Sequence, residues 1–202
     1  MKRAVLISIQ PKWVNLIASG KKTIELRTTR PKEQLPFKCY IYCTQGKGIT
    51  DNYRLQNNDL GNGKVIGEFW CDTIDEYTEK DLFVGMDELN NSNVENASCV
   101  DIDDILQYKG NRDILYGWHI KGLMIYDTPK PLSAFGTPNN SEVQNCKHRE
   151  QCYTSDYSDT GYIKAGFVCN CKEDWCTKCK RTPLTRAPQS WGYAEEIEQD
   201  VP

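Results

Sequence analysis

The segment SIQPKWVNLIASGKKTIELR, residues 8–27, is the most informative part of this chain, because it predicts a strand, a helix and a second strand in close succession. The apolar, β-branched run at 4–9 has the composition and length of a buried strand. Pro11 suits the first position of a helix, and Gly20 suits the left-handed residue that ends one. We therefore expect a compact strand–helix–strand unit.

The second of these strands carries polar side chains from which a site could be built. It alternates aliphatic residues with Thr23, Glu25 and Arg27, so one face would be apolar and the other would present a hydroxyl, a carboxylate and a guanidinium. Lys22 lies at the preceding turn, free to swing toward the polar face. A solvated ladder of salt bridges, which contributes little to stability, is an equally open explanation of this face.

The composition is that of an ordinary soluble globular protein. Of its 202 residues, 39% are hydrophobic and 26% are charged. A chain of this length is sufficient for one domain with a solid core and a modest appendage. No apolar run has the length of a membrane span, and the run after Arg3 is too short for a signal peptide. We therefore expect a cytoplasmic protein without a membrane partner.

The net charge of -3 conceals a strong asymmetry along the chain. Residues 1–40 hold nine lysines or arginines against two acids, whereas residues 72–104 hold eleven acids against one lysine. The basic segment could attract phosphate or another anionic ligand. Folding could equally bring the two segments together and cancel both charges.

Four further segments have the apolar patterning of strands, and an acidic segment from Ser98 to Gly110 has the start and stop signals of a short helix. The strand segments are 38–44, 64–74, 116–126 and 190–197. About six strands against two or three short helices predict an α+β fold, namely a small mixed β-barrel with short flanking helices, rather than a doubly wound sheet.

The chain divides by composition into a barrel and an insertion. We assign the barrel to residues 1–138, and its closing strand and tail to residues 183–202. Between them, residues 139–182 are dense in cysteine, poor in aliphatic side chains and flanked by proline-containing turns. Such a segment needs a covalent or metal staple to become ordered, so we expect a metal-stabilised insertion.

Six of the ten cysteines lie in this insertion, and two of them, Cys176 and Cys179, have the separation of a zinc knuckle. The expected ligands of a structural zinc are Cys146, Cys152, Cys176 and Cys179, with Cys169 and Cys171 as substitutes. Free thiols in a loose loop and disulfides are the alternatives, and the lack of an export signal disfavours disulfides.

Outside the insertion, cysteine and histidine are expected to be structural. Four cysteines fall on predicted strands or at a helix start, where buried thiols are common: Cys39, Cys43, Cys71 and Cys99. His119 lies on a predicted strand and has no matched catalytic partner in the sequence. We therefore interpret it as a strand residue.

Several of these pieces together resemble a known family. The segment at 8–27, followed by YIYCT, GKVIGEFWCD and YGWHI, resembles the ASCH domain family of the PUA-like superfold. The resemblance covers Val5–Tyr126 and resumes at Pro188–Glu196, where PQSWGYAEE is similar to the closing strand of ASCH proteins of bacterial and prophage origin. Its most specific part is the G-x-K-T-x-E-x-R pattern that begins at Gly20.

This resemblance implies a small β-barrel, a cleft lined by the polar residues of the motif, and a protein that binds or acts on RNA. Some small members are amidohydrolases that remove the acetyl group from N4-acetylcytidine by means of a lysine, a nucleophilic threonine and a glutamate. The lysine corresponds to Lys22, whereas Glu25 stands at the position of the nucleophilic threonine.

Three functions remain open, and binding of RNA or a nucleotide is our first expectation. In that function Lys22 and Arg27 contact phosphate, other lysines extend the basic surface, and an aromatic ring stacks on a base. The residues expected to bind are Lys12, Lys21, Lys22, Arg27 and Tyr42, with Trp13 as a second candidate for stacking.

The alternative is an amidohydrolase that acts on an acylated nucleoside. Its catalytic residues would be Lys22, Thr23 and Glu25, where the desolvated lysine activates the threonine hydroxyl or a water and the glutamate transfers the proton. A second alternative is a protein-docking module, in which the zinc-stabilised insertion binds a protein partner.

Overall fold

The computed structural model describes residues 4–46, 51–84, 93–137 and 182–197. The helices in these ranges are α1 (Pro11–Ala18), α2 (Glu79–Val84), α3 (Asn93–Ser98) and α4 (Ile102–Lys109), and a 3-10 turn spans Leu132–Ala134. The strands are β1 (Val5–Ile9), β2 (Ile24–Arg27), β3 (Phe37–Cys43), β4 (Lys64–Cys71), β5 (Ile74–Tyr77), β6 (Leu115–His119), β7 (Lys121–Pro131), β8 (Phe135–Thr137), β9 (Thr182–Pro183), β10 (Trp191–Tyr193) and β11 (Glu195–Glu196).

The larger of two compact units, residues 2–132 and 186–193, contains two sheets. One has five strands in the order β10-β1-β3-β4-β7, with β1 parallel to β3 and antiparallel pairing elsewhere. The other has three antiparallel strands in the order β2-β6-β5. The smaller unit, made mainly of residues 133–185 and 194–202, contains the sheet β11-β8-β9.

The strand–helix–strand unit predicted at the beginning of the chain is confirmed. The helix α1 has a proline in its first turn and buries Val14 and Ile17. Gly20 follows it with a φ of 74°, the left-handed conformation that glycine adopts without strain. The chain therefore turns sharply from α1 into β2.

The mixed α+β fold with few helices is also confirmed, but no closed barrel forms among the described residues. Three segments expected to be single strands each divide into two strands of different sheets. Residues 64–74 divide into β4 and β5 at Asp72 and Thr73, residues 116–126 divide into β6 and β7 at Ile120, and residues 190–197 divide into β10 and β11 at Ala194. The expected short helix is present as α4, but it begins after Asp101 rather than at Ser98, which is the last residue of α3.

The strand β2 is buried on both faces, and this placement positions the candidate site. Ile24 and Leu26 belong to an apolar cluster with buried residues of α2, α3 and α4. Glu25 and Arg27 alternate with them and point to the opposite face. On that face lies Trp118 of β6, a member of the larger core cluster formed with β1, β3 and β4.

None of the described helices is long and apolar enough to cross a membrane. Of the predicted insertion at 139–182, the structure describes Thr182, which pairs with Thr137. The expected zinc ligands Cys146, Cys152, Cys176 and Cys179, and the substitutes Cys169 and Cys171, lie outside the described residues.

Candidate functional site

Three charged side chains of the motif form a buried cluster on β2 and the turn before it. The two carboxylate oxygens of Glu25 lie 2.8 Å from Arg27 Nη1 and 3.3 Å from Lys22 Nζ. The side chains of Lys22, Glu25 and Arg27 are 2%, 5% and 11% exposed. The solvated ladder of salt bridges is therefore wrong for these three residues, since their side chains lie inside the protein and even that of Arg27 is only 11% exposed.

Lys22 is fixed by its partners rather than free to swing. Its ammonium donates a 2.7 Å hydrogen bond to the carbonyl oxygen of Ser98 at the end of α3, in addition to its ion pair with Glu25. It also lies 5.3 Å from the centre of the Trp13 ring, within the range of a cation–π contact. These contacts hold the lysine in one orientation, between α1, α3 and β2.

Arg27 connects the two sheets of the larger unit. Its Nη2 donates a 2.7 Å hydrogen bond to the carbonyl oxygen of Ser8 in β1, and its Nη1 donates a longer one of 3.3 Å to the carbonyl of Leu26. Its Nε–H is buried and has no hydrogen-bond partner among the residues that the structure describes. A buried donor without a partner destabilises a protein, so an acceptor placed beside this atom would be bound favourably.

A second donor of this kind comes from β6. Trp118 lies directly opposite Glu25 in the β2–β6 pair, so the two side chains share one face of the sheet. The fully buried ring packs perpendicular to Phe37 and lies 5.9 Å from the ring of Trp191. Its Nε1–H likewise lacks a partner within the described part of the chain. The sequence did not single out Trp118, because its position depends on the pairing of two strands that are distant in sequence.

Thr23 does not join the charged cluster. It precedes β2 and is exposed, and its hydroxyl lies 3.5 Å from the carbonyl oxygen of Ala97. Its backbone N–H donates to the same carbonyl at 2.8 Å. Thr23 and Glu25 were expected to share one face of a strand. They do not share an environment, because Thr23 is exposed whereas the Glu25 carboxylate is buried.

The other expected binding residues differ in their exposure. Lys12 and Lys21 are exposed, near opposite ends of α1, and Lys12 Nζ lies 4.3 Å from the centre of the partly buried Trp13 ring. Tyr42 is only 9% exposed, and its burial, followed by the nearby Cys43 thiol, raises the pKa of its hydroxyl. Trp13 is therefore the more open of the two aromatic candidates for stacking.

His119 has a carboxylate partner that the sequence did not reveal. Its Nε2 lies 2.7 Å from Asp75 Oδ2, and the Tyr77 hydroxyl donates to the same oxygen at 3.0 Å. Asp75 and Tyr77 lie on β5, which pairs with the strand of His119. The contact joins two neighbouring strands. The interpretation of His119 as a strand residue relied on the lack of such a partner, so its structural role stays a prediction.

Three of the cysteines outside the insertion are buried thiols, as expected. Burial raises the pKa of Cys43 and of Cys71 to about 12, and it raises that of Cys39 well above its usual value. Cys99 is only half-buried. Within the described ranges, no group of three or more histidine, cysteine, aspartate or glutamate side chains is placed to hold a metal ion.

The mixed sheets, the few short helices and the charged motif on β2 define an α+β domain with a buried cluster of charges. The ASCH domain profile matches residues 7–199, and the chain belongs to the ASCH domain family.

Among solved structures, those of an ASCH protein from Zymomonas mobilis are similar to this chain. Its Ser-to-Ala variant is 14% identical, over 95% of this chain and 87% of that chain, with a TM-score of 0.50. The same protein without a substitution is 15% identical with the same coverage and a TM-score of 0.46. Its Tyr-to-Phe variant is 18% identical over 64% of this chain and 76% of that chain, with a TM-score of 0.48. Comparison with curated proteins found no match.

Proposed function

We propose that this protein binds RNA or a nucleotide at the charged cluster of Lys22, Glu25 and Arg27. The observation that carries the proposal is the Nε–H of Arg27, which is buried and has no hydrogen-bond partner among the described residues. The same side chain shares the carboxylate of Glu25 with Lys22. The cluster holds two positive charges against one negative charge. An incoming phosphate or base oxygen would supply the missing acceptor and balance the charge.

Stability alone is a weak explanation for such a cluster. Buried ion pairs are often no more stabilising than apolar residues of similar volume, because each charge loses its hydration. The strand β2 lies between two apolar clusters, so apolar side chains at these positions would have apolar neighbours. Recognition of a polar ligand explains why the charges are there.

The ligand would reach the cluster past Lys12 of α1 and Lys21 of the turn that follows this helix. Lys12 and Lys21 are exposed, and the Trp13 ring, which contacts the ammonium groups of Lys12 and Lys22, offers a partly open aromatic surface for a base. In this arrangement Lys22 supports the site from inside, whereas Lys12 and Lys21 meet phosphate directly. Phosphate contacts of this kind make the affinity depend on salt.

Fluorescence anisotropy with a labelled single-stranded RNA tests the proposal. We expect the double variant Lys12→Ala/Lys21→Ala to bind more weakly than the wild type. The control variant Lys80→Ala/Arg186→Ala also removes two exposed cations and is expected to bind normally. Equal affinity of both double variants and the wild type would contradict this site. Competition by an unlabelled nucleoside monophosphate would show that a single nucleotide suffices.

Amidohydrolysis of an acylated nucleoside is the second candidate, favoured by the 3.3 Å separation between Lys22 Nζ and the Glu25 carboxylate. Since Thr23 lies outside the cluster, the nucleophile would be a water that Glu25 deprotonates, and the ammonium would stabilise the oxyanion that forms. Acetate release from N4-acetylcytidine that is lost in folded Glu25→Gln protein would support this function. Release that persists in that variant would exclude it.

A further inference from the structure

The outer face of the five-stranded sheet presents a row of one tryptophan between two lysines. Trp70 of β4 lies directly opposite Lys38 of β3 on one side and Lys121 of β7 on the other, so the three side chains share one face. Phe69 and Cys71, the neighbours of Trp70 in β4, belong to the core cluster on the inner face. The row therefore points away from the core and from the charged cluster on β2.

In this row the ring of Trp70 is exposed, and the nearest cation, Lys38, is held by a neighbouring carboxylate. Trp70 is 45% exposed, and Lys38 Nζ lies 5.8 Å from the centre of its ring. Glu68 holds that ammonium at 2.8 Å and accepts a 2.7 Å hydrogen bond from the Tyr126 hydroxyl with its other oxygen. Trp70 therefore lies on a surface where hydrogen bonds already fix the side chains of Lys38, Glu68 and Tyr126.

Cations outnumber acids on this surface. Lys130 Nζ lies 4.6 Å from the centre of the Tyr126 ring, so it adds a third positive charge to the negative charge of Glu68. We call the surface formed by the described residues Lys38, Glu68, Trp70, Lys121, Tyr126 and Lys130 the outer sheet surface.

We propose that the outer sheet surface binds single-stranded RNA, with a base stacked on Trp70 and phosphates beside Lys38 and Lys121. An exposed aromatic ring on a sheet, flanked by cations, is the physical requirement for stacking an unpaired base while its backbone is neutralised. A protein partner fits less well, because lysine is depleted at protein interfaces and Trp70 is the one exposed large apolar side chain that the structure describes in this surface, with Met124 beside it. The inference rests on the proposed RNA binding and adds a second contact for the same ligand.

Binding of a labelled oligouridylate to single variants tests this surface. Stacking on an aromatic side chain contributes enough that Trp70→Ala should weaken binding by about fivefold or more, while Trp70→Phe should retain most of the affinity. Lys121→Ala should reduce the salt dependence of binding. Met124→Ala is the matched control, since this residue is equally exposed but carries neither a ring nor a charge.

The outcomes separate this proposal from the function on which it rests. Wild-type affinity in Trp70→Ala, together with weaker binding in Lys12→Ala/Lys21→Ala, would overturn the outer sheet surface and leave the first site standing. Absence of RNA binding by the wild-type protein would overturn both. If Trp70→Ala keeps its RNA affinity but abolishes a dimer seen by size-exclusion chromatography, the surface joins two copies of the chain and the proposal fails.

Discussion

Glu25 and Arg27 form a 2.8 Å ion pair although both side chains lie almost entirely inside the protein. Through Arg27 the pair reaches the backbone of β1, and through Lys22 it reaches the end of α3. The motif is therefore part of the interior as well as a candidate site. Substitutions in it change folding and ligand binding together, so each functional test needs a measurement of stability.

Replacing the shared carboxylate should destabilise the fold more than replacing one of its cations. Glu25→Gln leaves two buried cations unpaired, and we expect the free energy of unfolding to fall by about 3–5 kcal/mol. Lys22→Met should cost less, because the pair of Glu25 and Arg27 remains and the methionine fills the space of the lysine stem. Urea denaturation followed by circular dichroism measures both changes. A Glu25→Gln protein as stable as the wild type would show that the three charges are not coupled.

Thr23→Val should change neither stability nor RNA affinity. The hydroxyl is exposed, and its one side-chain contact in the described structure is a long approach of 3.5 Å to Ala97, so we expect a change in unfolding free energy within about 0.5 kcal/mol. Thermal unfolding and RNA anisotropy check this expectation. If the wild type releases acetate from N4-acetylcytidine and the folded Thr23→Val protein does not, Thr23 is the nucleophile after all.

The buried thiols should resist alkylation in the native protein. Burial raises the pKa of Cys43 and Cys71 to about 12, so the reactive thiolate is scarce at mildly alkaline pH, and burial also blocks the reagent. Half-buried Cys99 provides the internal comparison. Timed reaction with iodoacetamide followed by peptide mass spectrometry should label Cys99 before Cys43 and Cys71. Labelling of Cys71 at the same rate as Cys99 would contradict the burial described here.

Acid should remove a contribution of Glu68 to stability. Burial, the largest single influence, raises its pKa, but hydrogen bonds from Lys38 and Tyr126 and the charges of Lys38 and Lys130 together lower it below the ordinary value of 4.5. Because the pKa is lower in the folded protein, the contribution is complete above 4.5 and is lost as the pH falls through the folded value.

The matched variant for this pH dependence is Glu68→Gln, which keeps the shape of the side chain and cannot ionise. Thermal unfolding of both proteins across the acidic range should show the wild-type advantage shrinking as the pH falls. A difference between the two proteins that stays constant with pH would mean that Glu68 has the same pKa in the folded and unfolded states.

The local part of the fold could be predicted because its signals are local. Pro11 and Gly20 set the ends of α1 through their own backbone preferences, and the structure has the helix between them. The points where the chain passes between sheets have no such signal. The breaks at Asp72, Thr73 and Ile120 contain neither glycine nor proline, so the apolar pattern continued through them and suggested single long strands.

The candidate site could be located from the sequence but not described from it. The motif identified Lys22, Glu25 and Arg27, yet the alternation of β2 gave no indication that its polar face is covered by a second sheet. The partners that fix the cations are backbone carbonyls of Ser8 and Ser98, which have no sequence signature. Such contacts depend on strand pairing and tertiary packing, and a single sequence does not encode them in a readable pattern.

The most direct test of the proposed function is the affinity of the wild-type protein for single-stranded RNA as a function of salt, beside that of Lys12→Ala/Lys21→Ala. Our account predicts measurable binding that weakens as salt rises, with a logarithmic slope of roughly −0.7 for each phosphate neutralised. The double variant should bind less tightly and with a shallower slope. Binding that is absent, or that is equal in both proteins at every salt concentration, would contradict the account.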